Sequence, residues 1–147
     1  MTNSDATLRL DFPSLFDMLD LVQVVADDLG RLLGLDEEAR HWVGVAVRES
    51  VINAIKHGNH NDETKRVFVE FTTSPAAHPT ELIVRVRDQG QGFDPGTLAD
   101  PLAPENLLKS SGRGIFFIRS FMDDVVLRRL PEGGMEVRMV KKLGSHV

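Results

Sequence analysis

Two stretches of alternating character stand six residues apart in this chain: "RVFVEFTTS" at 66–74 and "ELIVRVRDQ" at 81–89. Apolar and polar side chains largely alternate in both, and β-branched and aromatic residues dominate them, so each reads as a strand with one buried face. The Pro-containing connection "PAAHPT" between them reads as a hairpin turn. The rest of the fold must be arranged around this antiparallel pair.

The flanking segments supply the other elements. "ATLRLDF" (6–12) alternates and reads as a further strand. In "FPSLFDMLDLVQVVADDLGRLLG" (12–34), Pro13 and Ser14 serve as start signals, and Leu15, Met18, Leu19, Val22, Val25, Ala26, Leu29 and Leu33 form a helical stripe. Gly34 stops that helix. Asp36 reads as the N-cap of a second, with Glu37 and Glu38 well placed in its first turn. That helix is expected over about 37–57, with Ala39, Trp42, Val43, Ala46 and Val47 on its buried side. After the hairpin comes "GQGFDPGTLADPLAPENLLKSSG" (90–112), with three prolines and little periodicity. Loops this long in small domains are often functional lids. "RGIFFIRSFMDD" (113–124) returns to helical spacing, and "VVLRRL" and "GMEVRMVKKL" are strands about the turn "PEGG", with Arg128 and Arg129 on a solvated sheet edge. The order implies an α+β two-layer sandwich: a mixed, mostly antiparallel sheet with helices on one face. At 147 residues the chain is expected to be one domain, 1–147.

Composition narrows the function classes. The formal net charge is −5, which argues against general binding to nucleic acid or anionic membranes. There is no cysteine, so disulfides, thiolate catalysis and Cys-zinc sites are excluded. The N-terminus lacks the pattern of a signal peptide, and no stretch approaches the ~18 consecutive apolar residues of a membrane span. A cytoplasmic protein is expected.

Three stretches carry polar groups that a core does not need. Glu49, Asn53, Lys56 and His57 lie on the second helix, and Glu49 and Asn53 share a face. Asn53 costs about 0.5 kcal/mol of helix propensity against alanine, so its place there asks for a reason. "RDQGQGFDP" (87–95) ends a strand in Asp88, followed by Gly90 and Gly92. "SSGRGIFFI" (110–118) sets Gly112 and Gly114 before a helix. Singly, each is better read as a solvated helix face, a turn or a helix cap. His57 and His60 beside Asn59 and Asp62 read as loop residues rather than a metal site, for want of a third ligand at sensible spacing.

Together the three suit one ligand. Glycines let backbone N–H groups reach phosphate oxygens, and a helix N-terminus at 112–116 adds free donors and a favourable dipole. The Asn53 amide oxygen is a hard, neutral ligand suited to Mg²⁺. Glu49, one turn away, can take a proton from an attacking hydroxyl. Asp88 can accept a hydrogen bond from an exocyclic amine such as adenine's. Phosphoryl transfer needs these parts: positioning, metal and a base.

The motifs "E-x-x-x-N-A-x-K-H-G", "D-x-G-x-G-F" and "G-R-G-I-F-x-I-R-S-F-M-D-D", in this order across residues 8–141, resemble the GHKL superfamily of ATPases and kinases. Within it, the chain most resembles the bacterial anti-sigma-factor serine/threonine kinases. The resemblance implies the Bergerat-type ATP-binding sandwich, with ATP and Mg²⁺ as ligands. It makes Asn53 the metal-binding asparagine, Glu49 the general base, and Lys56 a phosphate contact, with His57 beside it at the nucleotide. Asp88 becomes the adenine-binding aspartate in a pocket shaped by Gly90, Gly92 and Phe93. Gly112, Arg113, Gly114 and Ile115 become the second glycine box against the triphosphate, and 94–111 the ATP lid.

Kinase activity on a STAS-domain anti-sigma antagonist, with a sigma factor as second partner and a homodimer as the assembly, is then the leading expectation. The alternative is an ATP-dependent protein-binding switch without kinase activity. The detached catalytic domain of a sensor histidine kinase ranks third, since none of His41, His57, His60, His78 and His146 sits early on a long N-terminal helix.

Overall fold

The computed structural model describes residues 5–90 and 118–144. Its frame is a five-stranded sheet in the order β1-β2-β3-β5-β4. The strands are β1 (Ala6–Pro13), β2 (Arg66–Ser74), β3 (Glu81–Arg87), β4 (Asp124–Arg129) and β5 (Met135–Lys142). Every described pairing is antiparallel, in line with the mostly antiparallel sheet of an α+β sandwich read from the sequence. The reason lies in the connections. Two helices, not one, join β1 to β2, so the chain returns to the end at which β1 stopped and runs back along it; a single crossover helix would have made the pair parallel.

Alternation sorts the strand residues onto two faces. Val67, Val69 and Phe71 of β2, Leu82, Val84 and Val86 of β3, Val125 of β4 and Met139 of β5 join one buried cluster with residues of both helices. The other face carries a charge lattice. Arg9, Glu70, Arg85 and Arg138 lie in one register row across four strands. Glu136, only 3% exposed, is held by Arg85 at 3.3 Å and by Arg128 at 2.7 Å. Arg128 on the edge strand is therefore exposed, as its place implies, but it also serves as counter-ion to a buried carboxylate.

The helices are α1 (Leu19–Leu32) and α2 (Glu37–Asn53). α1 buries Leu19, Val22, Ala26 and Gly30, and α2 buries Val43, Ala46, Val47, Ser50 and Val51, in each case a stripe at helical spacing. Asp36 caps α2: its Oδ1 accepts from Ala39 N–H at 2.8 Å, a contact worth about 1 kcal/mol. Pro13 and Ser14 do not start α1. β1 continues through Pro13, paired with Arg66, and the Ser14 hydroxyl donates to the Lys65 carbonyl at 2.8 Å. Proline is tolerated there because an edge strand needs no donor on its outer side. A short 3-10 turn at Phe16–Met18 then leads into α1.

The end of α2 also departs from the sequence reading. α-Helical bonding stops at Asn53, and Ala54–Gly58 forms a π-helical turn, closed by the Asn59 N–H on the Ala54 carbonyl at 2.8 Å. Such turns are rare and recur at functional sites. Ala54 and Ile55 stay buried, so the wider turn keeps its apolar side in the core while redirecting the chain beyond Gly58. A helical turn at 118–121 is fixed to α2 by the stack of Phe121 on Trp42, with centroids 4.0 Å apart and planes at 11°. Among the described residues no helix is long and apolar enough to cross a membrane.

Candidate functional site

Glu49 and Asn53 sit one turn apart near the C-terminus of α2. Both are partly exposed, and among the described residues neither side chain has a hydrogen-bond or ion-pair partner. Ser50, between them in sequence, faces the other way: its buried hydroxyl donates to the Ala46 carbonyl at 2.9 Å. The helix thus divides its polar residues between core and surface by angle alone. Lys56 and His57 lie on the π turn and are exposed. Partial desolvation of the His57 ring, then the neighbouring charges of Lys56 and His60, lower its pKa.

Asp88 lies just past β3 and is 6% exposed. Its N–H donates to the Met135 carbonyl at 3.1 Å, which extends the β3–β5 ladder by one residue. Its Oδ1 accepts from the N–H groups of Gly90 at 3.0 Å and Met135 at 3.2 Å. Its Oδ2 has no hydrogen-bond partner among the described residues and can accept a further hydrogen bond. Burial raises the Asp88 pKa, opposed by the two backbone N–H groups and by the charges of Lys65 and His60.

The walls around this carboxylate are backbone. A methyl group on Gly58 would overlap the Asp88 carboxylate, and one on Gly90 would overlap the Gly58 carbonyl. On the β4–β5 turn, Gly134 has φ +92° and lies against the Asp88 carbonyl. Gly58 carries a sequence signal, as the last residue of the K-H-G run in the first motif. Gly134 carries none beyond being a turn glycine in "PEGG", and only the fold brings it to Asp88.

The structure therefore joins two of the three motifs. Asn53 opens the π turn, and that turn ends at Gly58, against Asp88 and Gly90. Asn59, which reads in sequence as a loop residue, accepts a hydrogen bond through Oδ1 from Gln89 N–H at 2.8 Å. Gly92, Phe93, Gly112, Arg113, Gly114, Ile115 and the 94–111 lid lie outside the described residues. The donor set fits the expected ligands. Asn53 offers a neutral hard oxygen on an open face, as a Mg²⁺ site that retains waters requires. Asp88 offers one free carboxylate oxygen in a cradle with no room for side chains.

A family model described as histidine kinase-like ATPase domain matches residues 12–141. The chain belongs to this family. ATP binding follows from that membership. Its relatives include an anti-sigma F factor of Oceanobacillus iheyensis, 35% identical over 107 residues that make up 70% of this chain and 69% of that protein. A serine-protein kinase RsbW of Listeria monocytogenes is 27% identical over 144 residues, 94% of this chain and 88% of that protein. Among solved structures, the RsbU and RsbW domains of a Mycobacterium tuberculosis protein superpose with a TM-score of 0.64 at 15% identity. The match covers 97% of this chain and 34% of that one. This chain thus spans about a third of that longer chain, and the likeness is one of fold. Within the family, the chain falls with the anti-sigma factors and serine-protein kinases.

Proposed function

We propose that this chain is an ATP-dependent serine/threonine protein kinase of anti-sigma-factor type, a single domain across residues 1–147. Its substrate is a STAS-domain antagonist, its second partner a sigma factor or similar regulator, and it works as a cytoplasmic homodimer. The observation that carries this reading is the placing of two groups without a partner among the described residues, Glu49 and Asn53, on the helix whose following π turn abuts Asp88 at Gly58.

In this reading Asp88 Oδ2 accepts from the adenine amine, and Gly90, Gly92 and Phe93 bound the base. Lys56 and His57 approach the phosphates from the π turn, and Gly112, Arg113, Gly114 and Ile115 from the second glycine box. Asn53 would hold Mg²⁺, which when bound would neutralise charge on the phosphate oxygens. Glu49 takes the proton of the acceptor hydroxyl as its oxygen bonds to the γ-phosphorus. The bond from that phosphorus to the β–γ bridging oxygen breaks, leaving ADP and a phosphorylated serine or threonine. A partly exposed carboxylate suits the task, because a protein substrate must reach it from outside.

The Listeria relative's name, a serine-protein kinase, supports phosphotransfer. The Oceanobacillus relative's name, an anti-sigma factor, supports the sigma partner and favours a second reading, an ATP-dependent binding switch without kinase activity. Incubation with γ-labelled ATP, Mg²⁺ and a STAS-domain protein separates the two. The kinase reading predicts a labelled hydroxyl on the partner with wild type. A wild type that binds ATP but labels nothing, with Glu49→Gln identical to it, leaves only the switch.

A further inference from the structure

Asn59 is fully buried, at 0% exposure, immediately after the π turn. Its amide spends its bonds in three directions. Nδ2 donates to the Ser14 hydroxyl at 2.8 Å and to the Arg66 carbonyl at 3.0 Å, while Oδ1 accepts from Gln89 N–H at 2.8 Å. Its own N–H closes the π turn on Ala54. A buried amide is costly unless satisfied, and an apolar residue would fill the same space without that demand. The destination of the bonds explains the choice. Gln89 lies between Asp88, whose Oδ2 has no hydrogen-bond partner among the described residues, and Gly90, whose N–H fixes Asp88 Oδ1. The Gln89 N–H is the middle amide of that turn, and it points to Asn59.

We propose that Asn59 is a positioning residue: it holds the Asp88–Gly90 turn in fixed register with the Asn53 end of α2, so that base recognition and phosphate chemistry address one nucleotide. This rests on Asp88 as the acceptor for the adenine amine. Ser14 and Arg66 anchor Asn59 to the end of β1 and the start of β2, so the turn takes its place from the sheet itself. The Gln89 side chain adds a second tie, accepting from Arg66 N–H at 2.7 Å.

The test is titration calorimetry of the full chain with ATP–Mg²⁺ and with ITP–Mg²⁺, in which a carbonyl replaces the amine. Wild type prefers ATP. Asn59→Ala reduces that preference by roughly 10-fold, the scale of one well-placed hydrogen bond to a charged group, with ITP affinity nearly unchanged. Adding Asp88→Asn to Asn59→Ala costs little more, because both changes act on one contact. Ser14→Ala keeps the Gln89 bond; it lowers Tm and retains the preference. Should Asn59→Ala fail to fold, Gln89→Pro deletes the same N–H from the other side and must lose the preference, whereas Gln89→Ala, which gives up only the tie to Arg66 and keeps the N–H to Asn59, must retain most of it. Parallel weakening of ATP and ITP, additive with Asp88→Asn, overturns the positioning role and leaves ATP binding standing. A wild type with no preference for ATP overturns the reading of Asp88 and this inference with it.

Discussion

Glu49 and Asn53 stand partly exposed on α2 with no partner among the described residues, whereas Asp88 is buried and accepts two backbone N–H groups. The two ends of one site are built on opposite terms. In the proposed mechanism the groups that must exchange partners, Glu49 as proton acceptor and Asn53 as metal ligand, are the ones without a partner among the described residues. The group proposed to recognise the base, Asp88, is fixed in advance, with one oxygen committed to the backbone and the other without a hydrogen-bond partner among the described residues. Pre-organisation of this kind removes the ordering cost from the binding step. The comparison also separates the consequences of mutation: damage at Glu49 should appear in turnover, and damage around Asp88 in affinity and stability.

The largest expected effect is at the free end. Glu49→Gln keeps size and hydrogen-bonding reach but cannot take the proton, so labelling of the partner should fall by roughly 10²–10⁴-fold in single-turnover assays with γ-labelled ATP. Since Glu49 has no partner to lose among the described residues, its replacement should change stability by no more than about 0.5 kcal/mol. A loss of labelling accompanied by unfolding would erase the contrast between the ends.

Gly58→Ala probes the rigid end. The added methyl meets the Asp88 carboxylate, and backbone bonds prevent that carboxylate from yielding. Overpacking of this sort costs about 1–3 kcal/mol, to be read by chemical denaturation, and ATP affinity should fall with it. Wild-type stability in Gly58→Ala would mean that the Asp88 end is as pliant as α2.

Much of this arrangement is legible in the sequence because its signals are local. The alternation of 66–74 and 81–89 marks β2 and β3 within two residues, and Asp36 is the cap it reads as. The i,i+4 spacing of Glu49 and Asn53 places both on one face whatever the tertiary fold. The illegible part depends on contacts between distant segments. Pro13 and Ser14 look like a helix start until β2 pairs with β1. The π turn at Ala54–Gly58 has the composition of an ordinary helix end. Asn59 reads as a loop residue, since its three bonds go to residues 14, 66 and 89, and no spacing rule connects those. Gly134 meets Asp88 only because β5 lies beside β3.

A smaller effect arises from charge. Burial, the leading influence, raises the folded-state pKa of Asp88 above its unfolded value, so between the two values the folded chain binds more protons than the unfolded one. Stability should therefore fall as pH rises from the ordinary carboxylate range through the raised value, and level off above it. Asp88→Asn cannot titrate. The difference between the two proteins, from denaturation at several pH values, should show that decline, and a difference that grows with pH would contradict it. An adenine amine at Oδ2 favours the charged form, so wild-type ATP affinity should weaken as pH drops through the same window.

Titration calorimetry of ATP–Mg²⁺ against wild type, Asp88→Asn and Glu49→Gln tests the division between the two ends most directly. Asp88→Asn can turn a donor toward the adenine amine where an acceptor stood, and should bind at least about 10-fold more weakly, as expected for loss of a hydrogen bond to a charged group. Glu49→Gln, whose carboxylate acts on the acceptor hydroxyl and not on the nucleotide, should bind as wild type does. Wild-type affinity in Asp88→Asn, or a larger loss in Glu49→Gln than in Asp88→Asn, would contradict the account.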